Sequence, residues 1–219
     1  MSITYNEVLN RLIEERKHLG LSQMEMAQFV YITQSNYSKV EKGLHRLSFK
    51  ELKGLSQTDI DLMYIFTGNR CNGKYIDYFQ KYTCKELYCY LSIVYSYAVL
   101  QNSNANVTHF TEIVNRLKYM PIILGYGKGA NIFLIVRQIN GLQQDKMAKK
   151  LGVDIKKYRK LEKNRCLPDS EIIFKLYEMY KISPAIVLND KNILINELSS
   201  IIEEMETYGM HVMDFLIQK

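Results

Sequence analysis

The sequence predicts an all-α protein organised around a helical unit that occurs twice. The stretch from Leu21 to Gly43, LSQMEMAQFVYITQSNYSKVEKG, recurs in altered form from Leu142 to Asn164, LQQDKMAKKLGVDIKKYRKLEKN. Gln23/Gln144, Ala27/Ala148, Tyr37/Tyr158, Lys39/Lys160, Glu41/Glu162 and Lys42/Lys163 are each 121 positions apart, and a constant interval means one structural unit present twice. Apolar residues in both stretches, and in the segments around them, return at helical spacing.

The first element is an amphipathic helix carrying Val8, Leu9, Leu12 and Ile13, which stops at Gly20. Ser22 is the N-cap candidate for a second helix with Met26, Ala27 and Val30 on its apolar face. Thr33 opens a third, which buries Tyr37 and Val40 and turns Gln34, Ser35, Ser38 and Lys39 outward. In the second copy Ile132, Phe133, Val136 and Ile139 precede Gly141, Met147, Ala148 and Leu151 form the middle helix, and Asp154 replaces Thr33. The small Ala27 and Ala148 sit where crossing helices touch. Arg16 lies 25 residues before Glu41, and Arg137 lies 25 before Glu162, so an ion pair is expected to tie the first helix to the third in each copy.

Between the copies, Asn69–Gly73 reads as a loop. Tyr75, Ile76 and Phe79, then Leu87, Leu91, Val94, Tyr95 and Ala98, then Phe110, Ile113, Val114 and Leu117 follow helical spacing. Thr83 with Glu86 has the form of a capping box, and Thr108 precedes a further helix. The polar run Gln101–Asn106 reads as a loop and Gly125–Gly129 as a hinge, not a phosphate loop, because Gly129 follows Lys128 where Ser or Thr is needed. The segment is rich in tyrosine, which either lines a ligand pocket or, more simply, fills a helical core with its hydroxyls at the edge. After Asp190 an acidic helix carries an apolar stripe from Ile193 to Met205; it either covers its own domain or makes a homodimer contact. The expected divisions are residues 1–70 and 128–190 for the two repeated units, 71–127 for a helical spacer that separates and holds them, and 191–219 for an acidic amphipathic helical extension.

Both copies resemble the lambda-repressor-like (Xre-type) helix-turn-helix DNA-binding domain. The first supplies Arg16, Leu21, Ser22, Gln23, Ala27, Thr33, Gln34, Glu41 and Gly43 of its pattern; the second supplies Arg137, Leu142, Gln144, Ala148, Gly152, Val153 and Glu162. The resemblance implies that Arg16–Glu41 and Arg137–Glu162 are structural pairs, that Gln23 and Gln144 bind phosphate, and that the third helix enters the major groove of double-stranded DNA. The candidate DNA-contacting residues are Gln23, Thr33, Gln34, Ser35, Asn36, Ser38, Lys39 and Arg46 in the first copy, and Gln144, Lys156, Lys157, Arg159, Lys160 and Arg165 in the second. Three positions depart from the pattern. Tyr31 replaces the turn glycine, so either the turn differs or Tyr31 bears a positive φ; Asn164 replaces a glycine, and Ile155 replaces the glutamine that starts the third helix.

Charge supports the same expectation. Residues 128–190 hold 13 Lys and Arg against 7 Asp and Glu, with six of the basic residues between Lys156 and Arg165. That density suits counterion displacement from phosphates, so the second copy is expected to anchor more than it reads and the first to carry most base specificity. The four cysteines form no CxxC pair and no zinc spacing with the four histidines, so no metal or other cofactor is expected. No HExxH, serine elbow, P-loop or paired-carboxylate motif points to an enzyme. The opening MSITYNEV does not read as a secretory signal, and Leu87–Leu100 falls short of the roughly 20 residues that span a bilayer, so a cytoplasmic regulator is expected. The alternative is a protein-interaction module, an antitoxin or adaptor, favoured by Tyr31 and Ile155. No effector can be named from the residues.

Overall fold

The computed structural model describes residues 4–105, 109–120 and 131–217, and every regular element among them is helical. Five helices form the first unit: α1 (Tyr5–His18), α2 (Gln23–Phe29), α3 (Gln34–Glu41), α4 (Phe49–Leu55) and α5 (Leu62–Thr67). The expected caps are in place. Ser22 accepts from the backbone of Glu25 in a full capping box, and Thr33 Oγ1 accepts from Asn36 N at 3.2 Å. Then follow α6 (Ile76–Phe79), α7 (Cys84–Ala105) and α8 (His109–Leu117).

A second set of five comprises α9 (Ile132–Ile139), α10 (Gln144–Leu151), α11 (Ile155–Glu162), α12 (Ser170–Tyr180) and α13 (Pro184–Leu188). Asp154 caps α11 through Lys157 N at 2.9 Å. Ser48 caps α4 and Asp169 caps α12, again 121 positions apart. Left-handed backbone recurs on the same interval: Gly20 and Gly141, Tyr31 and Gly152, Gly43 and Asn164, and Gly68 and Asn189 all have positive φ. The turn at Tyr31 is therefore the same turn as at Gly152, with φ of 58° and 69°. Tyr31 adopts it with its side chain 80 % exposed, so no core packing adds to the local backbone cost. Asn164 is held by Asn131, whose Nδ2 donates to Asn164 Oδ1 at 2.6 Å.

The middle segment does not hold the two sets apart, because they touch directly. Ser170 N donates to Leu47 O at 2.8 Å, the Tyr5 and Ser170 hydroxyls lie 2.6 Å apart, and Lys53 reaches Asp190 at 3.0 Å. Leu12, Val40, Phe66, Ile173, Leu188 and Leu198 belong to one continuous apolar cluster that runs through both sets.

The last two helices are α14 (Lys191–Thr207) and α15 (Val212–Ile217). The α14 stripe is buried within the chain: Ile193, Leu194, Leu198, Ile201, Ile202 and Met205 are 0–2 % exposed, packed under α5, α6, α7 and α13. Of the two alternatives for that stripe the first holds: it covers its own chain, and it leaves no free surface there for the homodimer contact. The loop expected at Gln101–Asn106 is absent as far as Ala105, since α7 continues through it; Asn and Ser are weak helix formers, but Gln and Ala are good ones and no Gly or Pro interrupts them. Asn106, Thr108 and the expected hinge at Gly125–Gly129 lie outside the described residues. A buried ionic cluster ties α8 to α14, with Arg116 3.2 Å from Glu197 and 3.1 Å from Glu204. Among the described residues no helix is long and apolar enough to cross a membrane.

Positive φ at a residue with a Cβ costs roughly 1–2 kcal/mol, partly offset by the extra unfolded-state freedom of glycine. Tyr31→Gly should accordingly raise stability by about 0.5–1 kcal/mol in urea titration. A neutral or destabilising result would show that the Tyr31 turn is unstrained.

Candidate nucleic-acid interface

Within the first unit one carboxylate fixes three helices. Glu41, at the end of α3, accepts from Arg16 Nε of α1 at 2.6 Å and from Gln23 Nε2 of α2 at 2.7 Å. Arg16 Nη1 also donates to Leu21 O at 2.8 Å, closing the α1–α2 corner. Gln23 passes the order on: its Oε1 accepts from Gln34 Nε2 at 2.9 Å. The side chain of Gln34 at the exposed start of α3 is thereby fixed through Gln23 and Glu41 to Arg16.

The same relay stands 121 residues later with a different last member. Arg137 Nε donates to Glu162 Oε1, Arg137 Nη1 to Leu142 O at 3.0 Å, and Gln144 Nε2 to Glu162 Oε2 at 2.6 Å. Gln144 Oε1 accepts from Arg159 Nε at 3.1 Å, since Ile155 at the head of α11 has no donor to offer. Both ion pairs expected from the 25-residue spacing are present. The bonds from glutamine to glutamate were missed, although Gln23–Glu41 and Gln144–Glu162 share an 18-residue separation that could have revealed them.

Burial alone would raise the Glu162 carboxyl pKa, but the bonds from Arg137, Gln144 and Tyr158 outweigh it and hold the group below its ordinary value. The Tyr37 and Tyr158 hydroxyls are pushed the other way, mainly by burial; Tyr158 donates to Glu162 Oε1 at 2.9 Å.

The predicted contact residues divide into those presented and those already engaged. Gln34, Ser35, Asn36 and Lys39 are exposed on α3, with Ser38 half-buried beside them; Lys156, Arg159 and Lys160 are exposed on α11, and Arg165 follows it. Thr33 is exposed but its hydroxyl is the α3 cap. The side chains of Gln23 and Gln144 turn inward as the middle members of the relays. Lys157 pairs with Asp169 at 3.0 Å. Arg46 does not join the α3 surface: its Nε donates to Glu171 at 2.8 Å, its guanidinium lies 4.7 Å from the centre of the Tyr5 ring, and it ties the first set of helices to the second.

The two exposed ends differ in hydrogen-bonding capacity. Gln34 uses one amide hydrogen on Gln23, leaving its second hydrogen and its oxygen side by side, a donor beside an acceptor. Arg159 uses Nε on Gln144 and keeps both Nη groups, a pair of donors.

Comparison with known proteins agrees with this geometry at the first unit: residues 12–59 match a family model described as helix-turn-helix. The matched stretch contains Arg16, Gln23, Gln34 and Glu41, the whole first relay. No curated protein and no solved structure matches the chain.

Because the folded pKa of Glu162 lies below its unfolded value, the stability it contributes is complete above about pH 4.5 and is lost as pH falls through the folded pKa. The stability gap between the parent and Glu162→Gln should therefore narrow on acidification from pH 6 to about pH 3, read from guanidinium unfolding midpoints. A gap that stays constant would remove the ionised carboxylate from the account.

Proposed function

We propose that the chain is a sequence-specific double-stranded DNA-binding transcriptional regulator, with α3 and α11 as reading helices in successive stretches of the major groove. The observation that carries this reading is the side-chain relay Arg16–Glu41–Gln23–Gln34, which lies in the segment matching the helix-turn-helix model and has a counterpart 121 residues on. On this reading residues 131–189 are a second helix-turn-helix unit, supported by their matching caps, left-handed turns and ion pair.

The chemistry of each exposed end selects its base. The adjacent donor and acceptor of Gln34 suit the N6 and N7 edge of adenine, and the paired donors of Arg159 suit O6 and N7 of guanine. The second unit then reads sequence as well as anchoring, which revises the division of labour expected from charge alone. Lys39, Lys156 and Lys160 serve as phosphate contacts. The site is asymmetric because the two reading helices differ. Since the units touch, the half-sites are held at a set separation, expected near one helical turn of about 34 Å.

Selection of bound sequences from a random duplex library tests this directly, with the winners titrated at two salt concentrations. An asymmetric two-part site with steep salt dependence is the expected outcome. Sequence-blind, weak binding would overturn it. Arg159→Ala should cost about 1–3 kcal/mol and relax preference at one position, whereas Lys156→Ala or Lys160→Ala should weaken all sequences alike and lower the salt slope by about 1.

The exposed Met24, Tyr31 and Leu44 favour a second reading, in which the first unit's outer surface binds a protein as an antitoxin or adaptor does. Under that reading the three charge substitutions leave DNA affinity unchanged, while Tyr31→Ala abolishes capture of the partner.

A further inference from the structure

We propose that the recess between α7 and α15 binds a small organic cation carrying an apolar group, of the arylalkyl quaternary ammonium class. The recess has a volume of about 320 Å³, within the range of small-ligand sites. Its walls are the rings of Tyr82, Tyr90 and Phe215 with the side chains of Ile93 and Leu216. The rings of Tyr82 and Tyr90 lie 4.8 Å apart at 57°, so their faces are not stacked against one another and form a corner. An apolar lining of this kind recognises bulk, and aromatic faces add attraction for positive charge through their quadrupole.

Charge complementarity decides the class of ligand. Glu86 is the single charged side chain among the described residues that line the recess. It is held ionised, since the Thr83 backbone N–H and hydroxyl both donate to its Oε2 at 2.7 Å and lower its pKa. A fixed anion beside aromatic walls disfavours anionic ligands and rewards a cation that is weakly hydrated. The neighbouring rings already attract one cation, with Lys81 Nζ 4.6 Å from the centre of Tyr78 and 5.1 Å from that of Tyr82. Among the described residues no cation lies over Tyr90 or Phe215; Tyr90 also meets Phe79 at 5.5 Å and Phe215 meets Tyr97 at 6.1 Å, so a ligand would meet the ring surfaces that line the recess. Cys89, exposed on the same wall, gives a chemical reporter of occupancy.

The test uses the full chain with benzyltrimethylammonium chloride as probe and benzyl alcohol as its neutral counterpart, both followed by isothermal titration calorimetry. Saturable binding of the cation is expected, with the neutral probe weaker by about tenfold, the scale of a cation–π and ionic contribution. Glu86→Gln should weaken the cation by a similar factor of roughly ten while leaving the fold intact, because glutamine also serves at that position of a capping box. Saturating probe should slow alkylation of Cys89 by iodoacetamide and leave Cys71, Cys84 and Cys166 unaffected. Equal affinity for the neutral probe, an unaffected Glu86→Gln variant, unprotected Cys89, or no saturable binding would each overturn the proposal. None of these readouts depends on DNA binding.

Discussion

The pairing of a buried glutamate with an arginine 25 residues earlier is the constraint from which each unit's geometry follows. The side chains of Glu41 and Glu162 are 7 % and 6 % exposed, and their arginines 14 % and 18 %. Charges this far out of water gain little net stability from one another, since desolvation offsets most of the attraction. What they gain is specification. A carboxylate left without its guanidinium in that position is strongly unfavourable, so alternative packings of the first helix against the third are excluded. Because the same carboxylate also accepts from Gln23 or Gln144, the middle helix is fixed in the same step. The exposed side chain, Gln34 or Arg159, is then the fourth member of a chain of bonds that starts inside.

That arrangement explains how the ends can differ while the scaffold is the same. Gln34 and Arg159 occupy different helical positions, yet each places a donor on the oxygen of the inward-facing glutamine. The scaffold asks only for a donor within reach and leaves open what the rest of the side chain offers outward. The backbone obeys a similar rule. At the Gly43 and Asn164 position the left-handed turn is kept with different residues, and in the second case Asn131 supplies a hydrogen bond that glycine would not need. Geometry is held constant by a local compensation in each unit.

Features governed by short-range chemistry were legible in the sequence. Caps at Ser22, Thr33, Thr83 and Asp154, the stop at Gly20 and both ion pairs follow from residue type and spacing, and the repeat interval doubled the evidence for the Thr33 and Asp154 caps, the glycine stop and the ion pairs. The α14 stripe was visible but its partner was not, because an apolar face specifies burial without saying against what. The Gln101–Ala105 stretch was misread for a related reason: polar residues with modest helix propensity follow their context, and here α7 simply continues. Arg46 and Lys157 looked like free cations on a reading surface. Their partners Glu171 and Asp169 lie 125 and 12 residues away, and only the fold brings Glu171 beside Arg46.

The junction between the units has the further consequence that no single contact there has to be strong. Arg46–Glu171 is about one-third exposed on both sides, a setting in which an ion pair contributes on the order of 0–1 kcal/mol. The apolar interior below it is different in kind. Phe66 of α5 and Leu188 of α13 are fully buried, Ile186 nearly so, and α14 closes the space beneath them with Leu194 and Leu198. The polar contacts therefore set the register of the two units while the shared core resists their separation. On the proposed reading, a flexible tether would give α3 and α11 only an effective concentration relative to one another, and the ordering cost would fall on every binding event. With the core continuous, that cost is met during folding, and the relative placement of α3 and α11 becomes a property of the free protein.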